Sequence, residues 1–151
     1  MKNIPEAVDL MGTAKLAIDN AYERGHPVTV AYVDELGRPS QSIRGSAQVL
    51  SARELGIWAR SRDTGLAKAI ANNRNVSVLF FGLLPDGAKL LLNLQGRARA
   101  DSTRNDVVYR NMSDTERGYD PEAKGIAVIV EVDTVSGMSA AGRFSQSSGP
   151  T

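Results

Sequence analysis

The middle of the chain is two extended runs joined by a tight turn. Val76 to Phe81 is rich in β-branched and aromatic residues, Pro85-Asp86-Gly87 supplies the turn, and between Ala88 and Ala100 the residues Leu90, Leu92 and Leu94 alternate with Leu91, Asn93 and Gln95. A period of two sends the first leucine set to one face of a strand. So short a connection allows only antiparallel pairing, because a parallel crossover needs a dozen residues or more. A second hairpin precedes it: Val28 to Val33, the turn Asp34-Glu35-Leu36-Gly37, and a further extended run from Pro39 to Leu50. Gly56-Ile57-Trp58-Ala59-Arg60 and Gly125 to Val132 read as two more strands.

Helical patterns fall between these runs. Pro5 and Glu6 open one in which Val8, Met11, Ile18 and Tyr22 share a face before Gly25 ends it. Asp63 or Thr64 caps a second, with Leu66, Ala67, Ile70 and Ala71 on one face, ending at Asn72-Asn73-Arg74-Asn75. A third starts at Asp101-Ser102 and runs through Met112, and Ser113-Asp114-Thr115-Glu116 fits a capping box. Strands joined mostly by hairpins, with helices at the start, middle and late part, predict a mainly antiparallel sheet or barrel of the α+β kind. No Gly-x-Gly-x-x-Gly follows a strand and no Gly-Lys-Ser/Thr occurs, so the common nucleotide fingerprints are absent.

With 151 residues and 42% apolar side chains, the chain is sized for one domain, read here as residues 1–144, followed by a flexible Ser/Gly tail, 145–151. Zero cysteines and a single histidine, His26, exclude disulfide frameworks, thiolate metal sites, cysteine nucleophiles and two-His metal centres. No metal site is expected. A chain so short of nucleophiles and bases either binds rather than catalyses or draws its reactivity from a cofactor. No stretch spans a bilayer, and Asn3, Pro5, Glu6 and Asp9 interrupt any signal-like apolar region, which with the absence of cysteine points to the cytoplasm.

The net charge of +1 conceals 13 arginines against 5 lysines, five of them (Arg38, Arg44, Arg53, Arg60 and Arg62) within a 25-residue stretch. Arginine's planar fork suits phosphate and carboxylate. Arg44, Trp58 and Arg60 fall on neighbouring strands just before a helix that starts near Thr64-Gly65, with Arg62 and Lys68 close by. Forked donors beside a helix N-terminus make a phosphate site a specific expectation. A solvated basic face and a core tryptophan are the plainer alternatives. Eight aromatics in all, few near the arginines, and balanced charge argue against a nucleic-acid platform.

The run Ile57-Trp58-Ala59-Arg60, then Thr64-Gly65-Leu66-Ala67-Lys68-Ala69-Ile70, then Asn72-Asn73-Arg74-Asn75-Val76-Ser77-Val78-Leu79-Phe80, resembles the pyridoxamine 5′-phosphate oxidase-like family of flavin-binding split β-barrels. Gly96-Arg97-Ala98-Arg99-Ala100 resembles a later strand of that family, and the likeness covers roughly Ala14 to Val135. The resemblance implies a six-stranded antiparallel split barrel with flanking helices, a homodimer, and FMN held between subunits. It implies FMN contacts at Arg44, Trp58, Ala59, Arg60, Thr64, Gly65, Leu66 and Lys68, with the isoalloxazine in an apolar slot near Trp58 and Leu91. Deazaflavin F420 and haem are the alternative cofactors in relatives of this fold. The helix start departs from the family pattern: Leu66 stands where a lysine is usual, and Lys68 comes two positions late. The family's C-terminal substrate motif is reduced to Gly142-Arg143-Phe144-Ser145, so the expected substrate is a small molecule other than pyridoxamine phosphate. The implied activity is flavin-dependent oxidoreduction with unassigned catalytic residues. A non-catalytic, cofactor-binding or regulatory dimer is the alternative. His26 reads as a loop residue, Asp114 with Glu116 as a helix cap, and Phe80 and Phe81 as core. Tyr109, Tyr119 and Asp120 stand in the late helical region, with substrate contact as one reading.

Overall fold

The structure is a computed structural model that describes residues 6–148. Its strands are β1 (Thr29–Val33), β2 (Pro39–Ile43), β3 (Gln48–Val49), β4 (Glu54–Ala59), β5 (Asn75–Leu83), β6 (Lys89–Ala100), β7 (Ile126–Ser139) and β8 (Gly142–Ser147). The helices are α1 (Thr13–Ile18), α2 (Gly65–Asn72), α3 (Asn105–Asn111) and α4 (Asp114–Gly118), with a 3-10 turn at Ser102–Arg104. The strands form one antiparallel sheet in the order β2-β1-β5-β6-β7-β4-β3, and β8 pairs with the second half of β7. The two ends of that path, β2 and β3, are consecutive in the chain and separated only by residues 44–47. Four residues cannot reach far, so the sheet must curl until its edges almost meet. The result is an antiparallel split barrel, with Arg44 in the split.

Alternation fills the barrel. Val30, Val78, Phe80, Leu92, Leu94 and Val130 are 0 or 1% exposed and point inward. Leu66, Ala67 and Ile70 of α2 pack against the same core. On the outer face a second cluster, Trp58, Val108, Met112, Ala127 and Ile129, is sealed by α3. Neighbours on β4 thus serve opposite faces, Ile57 within the barrel and Trp58 beneath α3. At Gly96 the β6–β7 register shifts, and a Cβ there would stand 2.1 Å from the Glu131 carbonyl oxygen, so this close approach requires glycine.

Four expectations are corrected. The run Pro39 to Leu50 is two strands, because the chain crosses the split at 44–47, and with β8 the strands among the described residues number eight rather than six. The first helix spans only Thr13–Ile18. Val8 and Leu10 are buried from a segment without regular secondary structure, where the Leu10 N–H donates to the Ala52 carbonyl at 2.8 Å, and Met11 is 50% exposed; Pro5 lies outside the described residues. Ser145, Gln146 and Ser147, expected in the tail, complete β8. Their pairing with β7 is made by backbone groups, and Gly137 leaves the space that Phe144 fills. Residues 149–151 of that tail lie outside the described residues. Phe81, read as core, is 72% exposed, since on β5 it alternates with buried Phe80.

Candidate functional site

The structure sorts the five clustered arginines. Arg38 pairs with Asp34 at 3.1 Å, Arg53 lies 3.7 and 3.6 Å from Glu131 and Asp133, and Arg62 donates to the carbonyls of Lys124 and Gly125 at 3.0 Å each. Among the described residues, neither Arg44 nor Arg60 is ion-paired with a carboxylate. Both line the same cavity, of about 230 Å³, with Trp58, Tyr22, Glu116 and Tyr119.

Each wall of that cavity has a local cause. Arg44 is fixed by its N–H bond to the Val28 carbonyl, 3.0 Å, and by Nε donating to Ser42 Oγ, 2.9 Å. Burial holds its guanidinium below the ordinary arginine value, Tyr32 acts in the opposite sense, and the positive charge of Arg60 adds to the lowering. Two neighbouring cations, one of them desolvated, form a site that gains from an anion. Arg60 leaves the end of β4 with its guanidinium carbon 5.2 Å from the centre of the Tyr119 ring, a cation–π contact. Ser46 ties the split to β4: its Oγ accepts from the Trp58 N–H at 2.9 Å.

Asp120 holds the far wall. Its Oδ2 accepts from Trp58 Nε1 and from the Gly125 N–H, each at 2.9 Å, and its Oδ1 from the Lys124 N–H at 3.0 Å. Tyr109 packs edge-on to Trp58, 5.2 Å between ring centres, and donates its hydroxyl to the Asp120 carbonyl at 2.9 Å. Burial pushes the Asp120 carboxyl up, but the hydrogen bonds from Trp58, Lys124 and Gly125 outweigh it and leave the group below its ordinary value. Tyr109 and Asp120 are thus internal props, while Tyr119 faces the cavity.

Of the residues expected to touch a cofactor, Arg44, Trp58 and Arg60 meet in this cavity. Ala59 belongs to the barrel core, and the side chain of Leu66, 2% exposed, is buried there too. Thr64 is extended, Gly65 adopts φ +59°, and Thr64 Oγ1 lies 2.7 Å from Ser61 Oγ. Lys68 Nζ is 3.3 Å from Glu35 in the β1–β2 turn. The start of α2 therefore lies outside the arginine cavity. Leu91 does not share a slot with Trp58: it pairs with Phe81 and Met138 on the open outer face of the sheet, beside a groove of about 640 Å³. His26 packs edge-on to Phe80, 6.5 Å between ring centres, and against Gly82. Among the described residues no group of three or more metal-ligating side chains occurs. No helix among them is long and apolar enough to cross a membrane.

Besides Ile43, Gly45 and Ser46 of the split, Tyr22 and Glu116 are cavity residues that the sequence does not reveal in this role. In the sequence Tyr22 reads as part of a helix face. Glu116 reads as part of a helix cap, and its N–H does donate to Ser113 Oγ at 3.2 Å, but its carboxylate turns to the cavity.

No protein-family model and no curated protein matches the chain. Solved structures do match. A Clostridium acetobutylicum protein related to general stress protein 26 of B. subtilis (pyridoxinephosphate oxidase family) superposes with TM-score 0.65 at 14% identity, over 92% of this chain and 94% of that one. A pyridoxamine 5′-phosphate oxidase-related, FMN binding protein from Nostoc punctiforme gives 0.64 at 12% identity, over 93% and 97%. Group A Streptococcus HupZ gives 0.61 at 13% identity, over 83% and 94%. The fold is therefore the split barrel of pyridoxamine 5′-phosphate oxidase-related proteins.

Proposed function

We propose that this split-barrel chain binds FMN as a homodimer and serves as an oxidoreductase acting on a small substrate. The observation that carries the reading is the pair Arg44 and Arg60, which share one cavity and, among the described residues, have no carboxylate partner. On a fold whose Nostoc relative is described as FMN binding, such a pair is the natural place for the phosphate.

The donor set fits that group. Two guanidiniums can each give charge-assisted hydrogen bonds to phosphate oxygens. A cavity of about 230 Å³ suits the phosphate end rather than a whole flavin. Beside Arg44, Ile43 begins the open sheet face: it pairs with Thr29, which pairs with Leu79. Leu79, Phe81 and Met138 expose 43, 72 and 46% of their surface there. Apolar side chains so exposed on one face call for a cover, and a second copy of the chain would provide it while walling the ring of the flavin away from water. Thr64 and Gly65 would offer backbone N–H groups from the start of α2, with Leu66 contributing main chain only, and Lys68 would reach a ligand on leaving Glu35. Bound FMN supplies hydride or electron transfer, so the chain needs no strong acid or base of its own.

A visible spectrum of the purified protein, followed by denaturation and identification of any released chromophore, tests the reading. Flavin bands and released FMN are expected; a released deazaflavin would reassign the cofactor. A colourless protein that also fails to quench added FMN would refute it.

A further inference from the structure

The arginine cavity also holds a carboxylate, that of Glu116. Glu116 Oε1 lies so close over the split that a Cβ on Gly45, the residue after Arg44, would stand 2.2 Å from it. Among the described residues the Glu116 carboxylate has neither a hydrogen-bond donor nor an ion-pair partner, although it is half-buried. Its backbone is held in place. Ser113 caps α4 through the Glu116 N–H, and the neighbouring Arg117 is committed to the carbonyls of Arg110 and Met112 and to Asp114.

Two cations and one carboxylate therefore face the same small space. We propose that Glu116 sets the charge of the anion this cavity accepts: ionised, it matches the cavity to a singly charged phosphodiester-type group, and protonated, to a doubly charged phosphomonoester. The inference rests on the reading of the Arg44–Arg60 cavity as a phosphate site. The groups that act on Glu116 come from every wall. Arg60 at the end of β4 favours its ionised form, while burial and Glu23, in the turn after α1, favour the protonated one, and the balance raises its pKa. Tyr22 and Tyr119 flank it, Arg44 lies across the cavity, and Lys15 is paired with Asp19 at 2.7 Å. Anion binding and Glu116 protonation are then linked, each favouring the other.

The test is equilibrium binding to the full chain and to Glu116→Gln, with Glu116→Ala as a second variant, between pH 5 and 8. FMN, its singly charged methyl phosphodiester and riboflavin are followed by flavin fluorescence, and inorganic phosphate by the fluorescence of Trp58. At pH 8 both variants should bind FMN about tenfold more tightly than the parent chain, about 1.4 kcal/mol. The gain should be smaller for the diester and absent for riboflavin, and should close as pH falls to 5. FMN's own phosphate becomes singly charged below pH ~6, which also narrows its gain, so the diester, whose charge is constant over this range, is the control: the closing of its gain reports Glu116 alone. Variants within twofold of the parent for both FMN and phosphate at pH 8, or an equal gain for riboflavin, would overturn the inference. Loss of all flavin binding with the phosphate difference intact would refute the FMN reading and support the role of Glu116.

Discussion

Replacing Asp120 by alanine removes the acceptor for three hydrogen bonds at once, from Trp58 Nε1, the Gly125 N–H and the Lys124 N–H. Two of those donors, Trp58 Nε1 and the Gly125 N–H, are buried. Each buried donor left unpaired costs roughly 1 to 3 kcal/mol, and a bond to a charged acceptor lies in the same range. The expected loss is therefore about 3 to 4 kcal/mol, a large part of the ~5 to 15 kcal/mol that holds a typical domain together. Urea denaturation followed by Trp58, the only tryptophan, reads the loss directly, because the probe is itself one of the bonded partners. Asp120→Asn keeps one oxygen for Trp58 and Gly125 and should cost less, about 1 to 2 kcal/mol. The pH dependence has a definite sign. Asp120 titrates below its ordinary value of 3.8, so its contribution is complete above that value and is lost as pH falls through the folded-state pKa. The difference between the parent and Asp120→Ala should stay constant from about pH 5 to 8 and shrink in stronger acid. A variant within 1 kcal/mol of the parent, or a gap that widens in acid, would refute the assignment of Asp120 as the prop of this wall.

Two further perturbations probe the frame and the open face. Gly96→Ala forces a methyl into the Glu131 carbonyl, 2.1 Å away; a loss of about 3 kcal/mol and a melting temperature lower by about 9 °C are expected in calorimetry. Phe81→Asp places a charge on the exposed sheet face and should turn the proposed homodimer into a monomer in sedimentation equilibrium, since each buried phenylalanine is worth about 2 kcal/mol and two-fold symmetry counts it twice. An unchanged melting temperature in the first case, or an unchanged mass in the second, would contradict the corresponding argument.

Local chemistry made much of this fold legible. The alternation of Leu90, Leu92 and Leu94 with Leu91, Asn93 and Gln95 and the turn Pro85-Asp86-Gly87 correspond to the β5–β6 hairpin, which pairs in register from Asn75↔Arg97 to Leu83↔Lys89. Where burial comes from distant parts of the chain, the pattern misled. Val8 and Leu10 are apolar because an irregular segment packs onto the barrel core, and apolar spacing alone also fits a helix. Strand β8 is nearly all polar, since it is an outer strand joined to β7 by backbone bonds, so no hydrophobic alternation marks it. The site divides in the same way. Arg44, Trp58 and Arg60 lie within 17 positions of one another, and their type and spacing pointed to an anion. Tyr22 and Glu116 reach the cavity from opposite ends of the chain, and only the curl of the sheet, which brings β2 and β3 together, could reveal them.

Arg44 and Arg60 are proposed to clamp the phosphate of FMN. Titration of FMN against riboflavin, on the parent chain and on Arg44→Ala and Arg60→Ala, measures the phosphate contribution alone. Loss of a charge-assisted hydrogen bond predicts weaker FMN binding by about 1.5 to 3 kcal/mol for each variant, with riboflavin affinity unchanged. FMN affinity equal to the parent's in both variants would return the two arginines to the solvated surface and contradict the account.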